Sequence, residues 1–234
     1  MVNETNPMPP YRLHCDAARC VALVEGPGAN RTGAAARAIS VPLGRDVVAK
    51  MKAMLRVTDG NERSGRLRLH RGGGGRWRWE VLESGDGGGT ADTVTLPHGG
   101  IVFHTHPNHC DRASQCYLEV PSEQDWRILA GDVAEGASLM HLVVTHSGVY
   151  ELSPYDATRA ALFKGKVTPE GIERRMRTFL RKMDKAAMEA AARGESAAEA
   201  VRGPTTRHAH EQGLRLGFVP WSLASKHAIK VLVE

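Results

Sequence analysis

Aromatic side chains are scarce, at 5% of the 234 residues, so the core has to be built from Val, Ile, Leu, Ala and Met rather than around large rings. Long apolar runs are missing as well. No stretch approaches the roughly 18 to 20 residues that a membrane helix needs, and no membrane association is expected. The first ten residues, Met1 to Pro10, are polar and proline-rich. They lack the basic-then-apolar pattern of a secretory leader, from which an intracellular, cytoplasmic and non-secreted protein is expected. Cysteine is sparse too, with Cys15 and Cys20 forming one close pair and Cys110 and Cys116 another. A chain of this length folds without cross-links, so reduced thiols are expected. There is no internal repeat.

What is present is ordinary globular composition, 41% hydrophobic and 24% charged, with 25 glycines and a net charge of +5. That suits one sizeable domain with decoration, or two small ones. The basic excess sits in the C-terminal third, after Phe163. It signals an acidic partner there, or only a solvated helix face.

Residues 1–40 mix Pro, Gly, Ala and Arg and read as a weakly specified arm, with Cys20 to Val24 as a short strand. Between Arg45 and Arg56, Val47, Val48, Met51, Met54 and Leu55 recur at helical spacing and predict an amphipathic helix. A β-rich block follows. It has predicted strands at Gly65–His70, Arg76–Leu82, Thr93–Leu96, Gly100–His106, Ser138–Thr145 and Val149–Leu152, with hairpin tips at glycines 72–75 and 87–89. Ser122 to Ala130 reads as a short helix. Beyond Pro154 the chain turns helical. Thr168-Pro169-Glu170 is a helix start, and Ile172, Met176, Phe179, Leu180, Met183 and Ala187 form its apolar stripe to about Gly194. A shorter helix is expected from Ser196, another over Thr205–Leu216, and a final strand over His227–Val233.

The chemistry concentrates at Phe103-His104-Thr105-His106-Pro107. On a strand, residues i and i+2 share a face, so His104 and His106 present two imidazoles side by side, a pairing that suits zinc. In a chain with 11 histidines such spacing also arises by chance. His208 and His210 repeat it, but on a predicted helix, where i and i+2 diverge by about 200°. Downstream, Ser122 and Asp125 stand three apart at a helix start. Ser-x-x-acid is equally a capping pattern. With the two histidines, however, Asp125 would complete a three-ligand zinc site that keeps a fourth position open, as catalytic sites do. A hydrolytic site also needs a proton carrier, and Glu62, just ahead of the first strand of the β block, is the candidate. A solvated turn is its alternative reading.

Glu62, then His104-Thr105-His106-Pro107, then Ser122-x-x-Asp125, in that order, resembles the JAMM (JAB/MPN-type) zinc metalloproteases. Glu62 to Leu67 is similar to the family's Glu-x-x-Gly-x-Leu segment, and His141–Thr145 with Gly148–Leu152 to its later hairpin. The resemblance covers about residues 41–152. It implies an α/β (α+β) fold: a curved mixed sheet flanked by helices, with a JAMM/cytidine-deaminase-like core over residues 41–155. The pattern beyond that core reads as a helical extension over 156–234 that ends in a strand packed on the core. The resemblance also implies His104, His106 and Asp125 as ligands of one catalytic Zn2+, Glu62 as general acid/base and Ser122 as the oxyanion donor. The implied reaction is hydrolysis of an amide, most often the isopeptide bond of ubiquitin or a ubiquitin-like modifier.

The gap from His106 to Ser122 is longer than the family's usual spacing. It carries His109, Cys110 and Cys116, which would either shape a substrate groove or hold a second, structural zinc. Stretched spacings of this kind resemble JAB-domain proteins of large DNA viruses, which would act in host cytoplasm. Two alternatives stand beside a deubiquitinase: a peptidase acting on small sulfur-carrier-like proteins or peptides, and a catalytically silent MPN scaffold. The latter normally lacks a ligand, and none is missing here. A nucleic-acid-binding role would rest on Arg174, Arg175, Arg177, Arg181 and Lys182 alone, with no base-reading or stacking motif, and is not expected.

Overall fold

The computed structural model describes residues 11–15, 20–23, 37–56, 61–84, 100–106 and 120–233. The expected strand at Thr93–Leu96 and the segment bearing His109, Cys110 and Cys116 lie outside these residues.

The fold is mixed α+β. Its strands are β1 (Tyr11–Cys15), β2 (Cys20–Leu23), β3 (Arg37–Pro42), β4 (Ser64–Arg71), β5 (Trp77–Glu83), β6 (Gly100–Thr105), β7 (Ser138–Val144), β8 (Gly148–Pro154), β9 (Leu214–Pro220) and β10 (Ala228–Val233). They join one sheet in the order β3-β10-β1-β2-β4-β6-β7-β8-β9, with β5 on the other edge of β4. The β1–β10 and β6–β7 pairs are parallel and the remainder antiparallel. Strands from residues 1–40, from the β-rich block and from the C-terminal third therefore share a single sheet.

Alternation along the strands sends side chains to two cores, because successive residues face opposite sides. Phe103, Leu142 and Val149 join Val47, Met51 and Leu55 of α1 (Gly44–Leu55) on one face. The stripe read from the sequence is the one α1 buries. At about 1.5–3 kcal/mol per large apolar side chain removed from water, that face is a major part of what holds α1 in place. Val143, Tyr150 and Leu152 point the other way. They pack with α2 (Glu123–Glu135), α3 (Asp156–Phe163), α4 (Pro169–Ala192) and α5 (Ala197–Glu211).

One expectation is corrected. The helix expected over Thr205–Leu216 is the second half of α5, which starts at the Ser196 cap and runs through Pro204 to Glu211. The chain then reverses at Gly213 (φ 75°), and Leu214 and Leu216 enter β9. Leu214, Leu216 and Phe218 alternate onto the helical face, and pairing along all of β8 satisfies the backbone. That period of two overrides the local helical propensity. β10 lies between β3 and β1 rather than at a free edge.

Candidate metal centre

Strand pairing assembles the centre. Ser64 on β4 lies opposite His104 on β6, and Thr105 continues the ladder by donating its amide to the Arg63 carbonyl at 2.7 Å. The Arg63 amide in turn donates to the Thr105 hydroxyl at 2.8 Å. Continued by two residues, this antiparallel register sets Glu62 across from His106, on the face that His104 shares. β7 flanks β6 on the other side, Val143 beside His104. The His106 amide donates to the Val144 carbonyl at 2.8 Å.

The helix α2 supplies the carboxylate. Ser122 caps it through a reciprocal box: the Asp125 amide donates to Ser122 Oγ at 3.3 Å, and the Ser122 amide donates to Asp125 Oδ2 at 2.6 Å. The Ser122 hydroxyl also donates to Oδ2, at 2.9 Å. The cap is therefore made, and it fixes the rotamer that turns Asp125 towards the histidines.

His104 Nε2 lies 2.9 Å from Asp125 Oδ1 and 3.1 Å from His106 Nε2, which lies 3.4 Å from Asp125 Oδ2. His106 Nε2 is also 3.8 Å from Glu62 Oε1. His104, Asp125 and Glu62 are buried and His106 partly so. One ligand atom from each of His104, His106 and Asp125 falls within 4.8 Å of the others, so the group could hold a metal ion. Bonds of about 2.0–2.2 Å in tetrahedral array put neighbouring ligand atoms about 3.3 Å apart, close to the separations found. His104 Nδ1 is buried without a hydrogen-bond partner among the described residues. Contacts at Nε2, together with packing, orient that ring.

The electrostatics keep Asp125 ionised and make His106 hold its proton more tightly. Burial would raise the Asp125 pKa, but His104 and His106 hold it well below the usual carboxylate range. Burial opposes the charged form of His106, yet Asp125 and then Glu62 outweigh it and raise its pKa. Two imidazoles and two carboxylates in a buried corner thus present negative charge that a proton or a divalent cation can balance. Ligand binding by His106 requires loss of its proton, so metal uptake and proton release are coupled here.

The five residues singled out in the sequence, Glu62, His104, His106, Ser122 and Asp125, all meet here. His208 and His210 diverge: His208 stacks on Phe179 at 4.1 Å, and His210 Nδ1 meets the Tyr155 hydroxyl at 2.6 Å. A buried pair that sequence reasoning missed lies next to the centre. His141 on β7 contacts Asp132 on α2, Nε2 to Oδ2, at 2.9 Å. Burial lowers the His141 pKa against the opposing pull of Asp132. Its signal was available: Asp125 and Asp132 stand seven apart, on one helix face. No helix among the described residues is long and apolar enough to cross a membrane. A scan against protein-family models, a search of curated proteins and a search of solved structures each find no match, so the chemistry of this centre rests on its own geometry.

Proposed function

We propose that the chain is a JAMM-type zinc metalloprotease, an isopeptidase that removes ubiquitin or a ubiquitin-like modifier by hydrolysing an amide. The observation that carries this reading is the convergence of the His104, His106 and Asp125 ligand atoms with a second carboxylate, Glu62, 3.8 Å from His106 Nε2. Three protein ligands with histidine nitrogen and carboxylate oxygen are the donor set of catalytic zinc. A bound Zn2+ would supply Lewis acidity and make water acidic enough to ionise near neutral pH.

The protein's own groups divide the remaining work. His104, His106 and Asp125 would hold the ion. Glu62 takes the proton that attacking water loses and delivers it to the leaving amine nitrogen, so it starts and ends the cycle as a carboxylate. Ser122 would donate to the oxyanion once its hydroxyl turns from Asp125, whose Oδ2 keeps the Ser122 backbone donor at 2.6 Å. The buried setting strengthens both interactions.

Elemental analysis of the purified full chain tests the metal. One zinc per wild-type chain is expected, with none in His104→Ala or Asp125→Ala and one in His210→Ala. Hydrolysis of ubiquitin-fusion and isopeptide-linked substrates by the zinc-loaded chain tests the activity. A wild type that takes up no zinc on dialysis overturns the reading, and a zinc-loaded chain inert on these substrates overturns the substrate assignment.

A further inference from the structure

The helix α2 carries two buried acids, Asp125 and Asp132, two turns apart on one face, and each meets an imidazole on the sheet beneath. Asp125 Oδ1 is 2.9 Å from His104 on β6, and Asp132 Oδ2 is 2.9 Å from His141 on β7. His141 pairs with Val102 in the parallel β6–β7 ladder, one step of two residues behind His104. The two imidazoles are therefore diagonal neighbours on the face that α2 covers. Seven helical residues advance about 10.5 Å, so the two contacts grip the helix at separate points along its length.

The second contact is costly on its own terms. His141 is fully buried, and its Nδ1 has no hydrogen-bond partner among the described residues. On the face where it lies, Trp126, Leu129 and Val133 of α2 join Val143 and Tyr150 in one apolar cluster. Apolar contacts there would bury surface equally well without an orphaned nitrogen. They would not fix how far along the sheet the helix sits, because hydrophobic contact is non-directional. A directional bond at 2.9 Å does.

Resting on the zinc reading above, we propose that the His141–Asp132 hydrogen bond is the positioning element of the metal centre: it sets the register of α2 on the sheet and so brings the Asp125 carboxylate to His104 and His106. Among the described residues, His141 and Asp132 hydrogen-bond to each other and not to His104, His106 or Asp125, so the bond acts through the helix that carries Asp125. The bond needs only an oxygen acceptor on residue 132 for the His141 Nε2–H.

The test is made on the full chain with Asp132→Ala, Asp132→Asn and the apolar pair Asp132→Leu/His141→Leu. Zn2+ affinity is read by competition with a chromogenic chelator, and the ligand field by the visible spectrum of the Co2+-loaded protein. Asp132→Ala is expected to weaken Zn2+ binding by about 10- to 100-fold, the usual size of an outer-shell loss. Asp132→Asn, which keeps the acceptor, should restore both affinity and spectrum. The leucine pair should fold cooperatively yet stay weak in Zn2+ with an altered Co2+ spectrum. Leucine-pair protein that binds Zn2+ as wild type does, or Asp132→Asn as weak as Asp132→Ala, overturns the proposal. Amide exchange in metal-free protein supplies an independent reading. The Ser122 amide, which donates to Asp125, should exchange faster in the leucine pair, and unchanged protection overturns the proposal. Should the wild type bind no zinc, the zinc reading fails while the exchange result still decides on the positioning bond.

Discussion

Glu62 Oε1 stands 3.8 Å from His106 Nε2 because the β4–β6 register, fixed by Ser64 opposite His104, runs on through the Arg63–Thr105 bonds. The carboxylate reaches the centre without joining the His104, His106 and Asp125 group. Glu62→Gln is isosteric and cannot carry a proton, so zinc content should be unchanged while turnover falls by about 10²- to 10⁴-fold, the usual worth of a general acid/base. Parallel metal analysis and steady-state kinetics check this. Full activity with full zinc would remove Glu62 from the mechanism.

On the proposed zinc reading, metal and fold are linked through the same residues. His104 and Asp125 join β6 to α2, so an ion held between them binds the folded state and not the unfolded one. Zinc at 100 times its dissociation constant should stabilise the chain by about 2.7 kcal/mol. Thermal unfolding with zinc and with chelator should therefore differ for wild type and His210→Ala, and coincide for His104→Ala.

Ser122 carries two duties that one substitution separates by size. Ser122→Ala removes the cap on the Asp125 amide, worth about 1 kcal/mol. It also removes the hydroxyl that touches Asp125 Oδ2. Denaturant unfolding of the metal-free variant should show the cap loss. Turnover should fall by more than that loss explains if the hydroxyl also serves the oxyanion. Equal losses in stability and activity would leave Ser122 a cap alone.

Much of this was legible because it is local. The α1 stripe, the Thr168-Pro169 start of α4 and the His104/His106 pair each need only periodicity or a short motif, and each appears where spacing put it. β9 was not legible. Its strand state comes from the partner β8 offers, more than 50 residues earlier in the chain. The position of Glu62 beside His106 depends likewise on cross-strand register, which spacing cannot supply. The His141–Asp132 bond is only half legible for a related reason: the seven-residue spacing aligns Asp132 with Asp125, but a single histidine in an apolar strand carries no pattern until the helix above it is in place.

Gly65 shows what that register requires of the sequence. A Cβ there would lie 2.6 Å from the Leu82 carbonyl oxygen and 2.6 Å from the Phe103 ring, so the strands β5 and β6 close in from both sides. Gly65→Ala should cost about 1–3 kcal/mol by overpacking. The same clash pushes β4 from β6 and carries Glu62 away from His106, so turnover should fall further than stability. Urea unfolding and kinetics on the zinc-loaded variant check both. A variant as stable and active as wild type would mean that the ladder yields at no cost.

His227 gives the fold a pH dependence separate from the metal centre. It contacts Glu151 on β8, Nε2 to Oε1 at 2.6 Å. Glu151 pairs with Leu142 and Gly217, on the sheet face opposite the one bearing His104. The hydrogen bond to Glu151 raises the His227 pKa above its ordinary 6.5, against the opposing effect of burial. A folded pKa above the unfolded one means that the native state binds the proton more tightly. The resulting stability is complete below about pH 6.5 and is lost as pH rises through the folded value. Urea midpoints of metal-free wild type should therefore decline from pH 6 towards pH 8.5 more steeply than those of His227→Gln, which cannot take up a proton. Parallel profiles for the two proteins would show that the pair contributes nothing to folding. Metal-free protein is the right material, because protons at His106 and zinc compete for one nitrogen and would overlay a second dependence on the first.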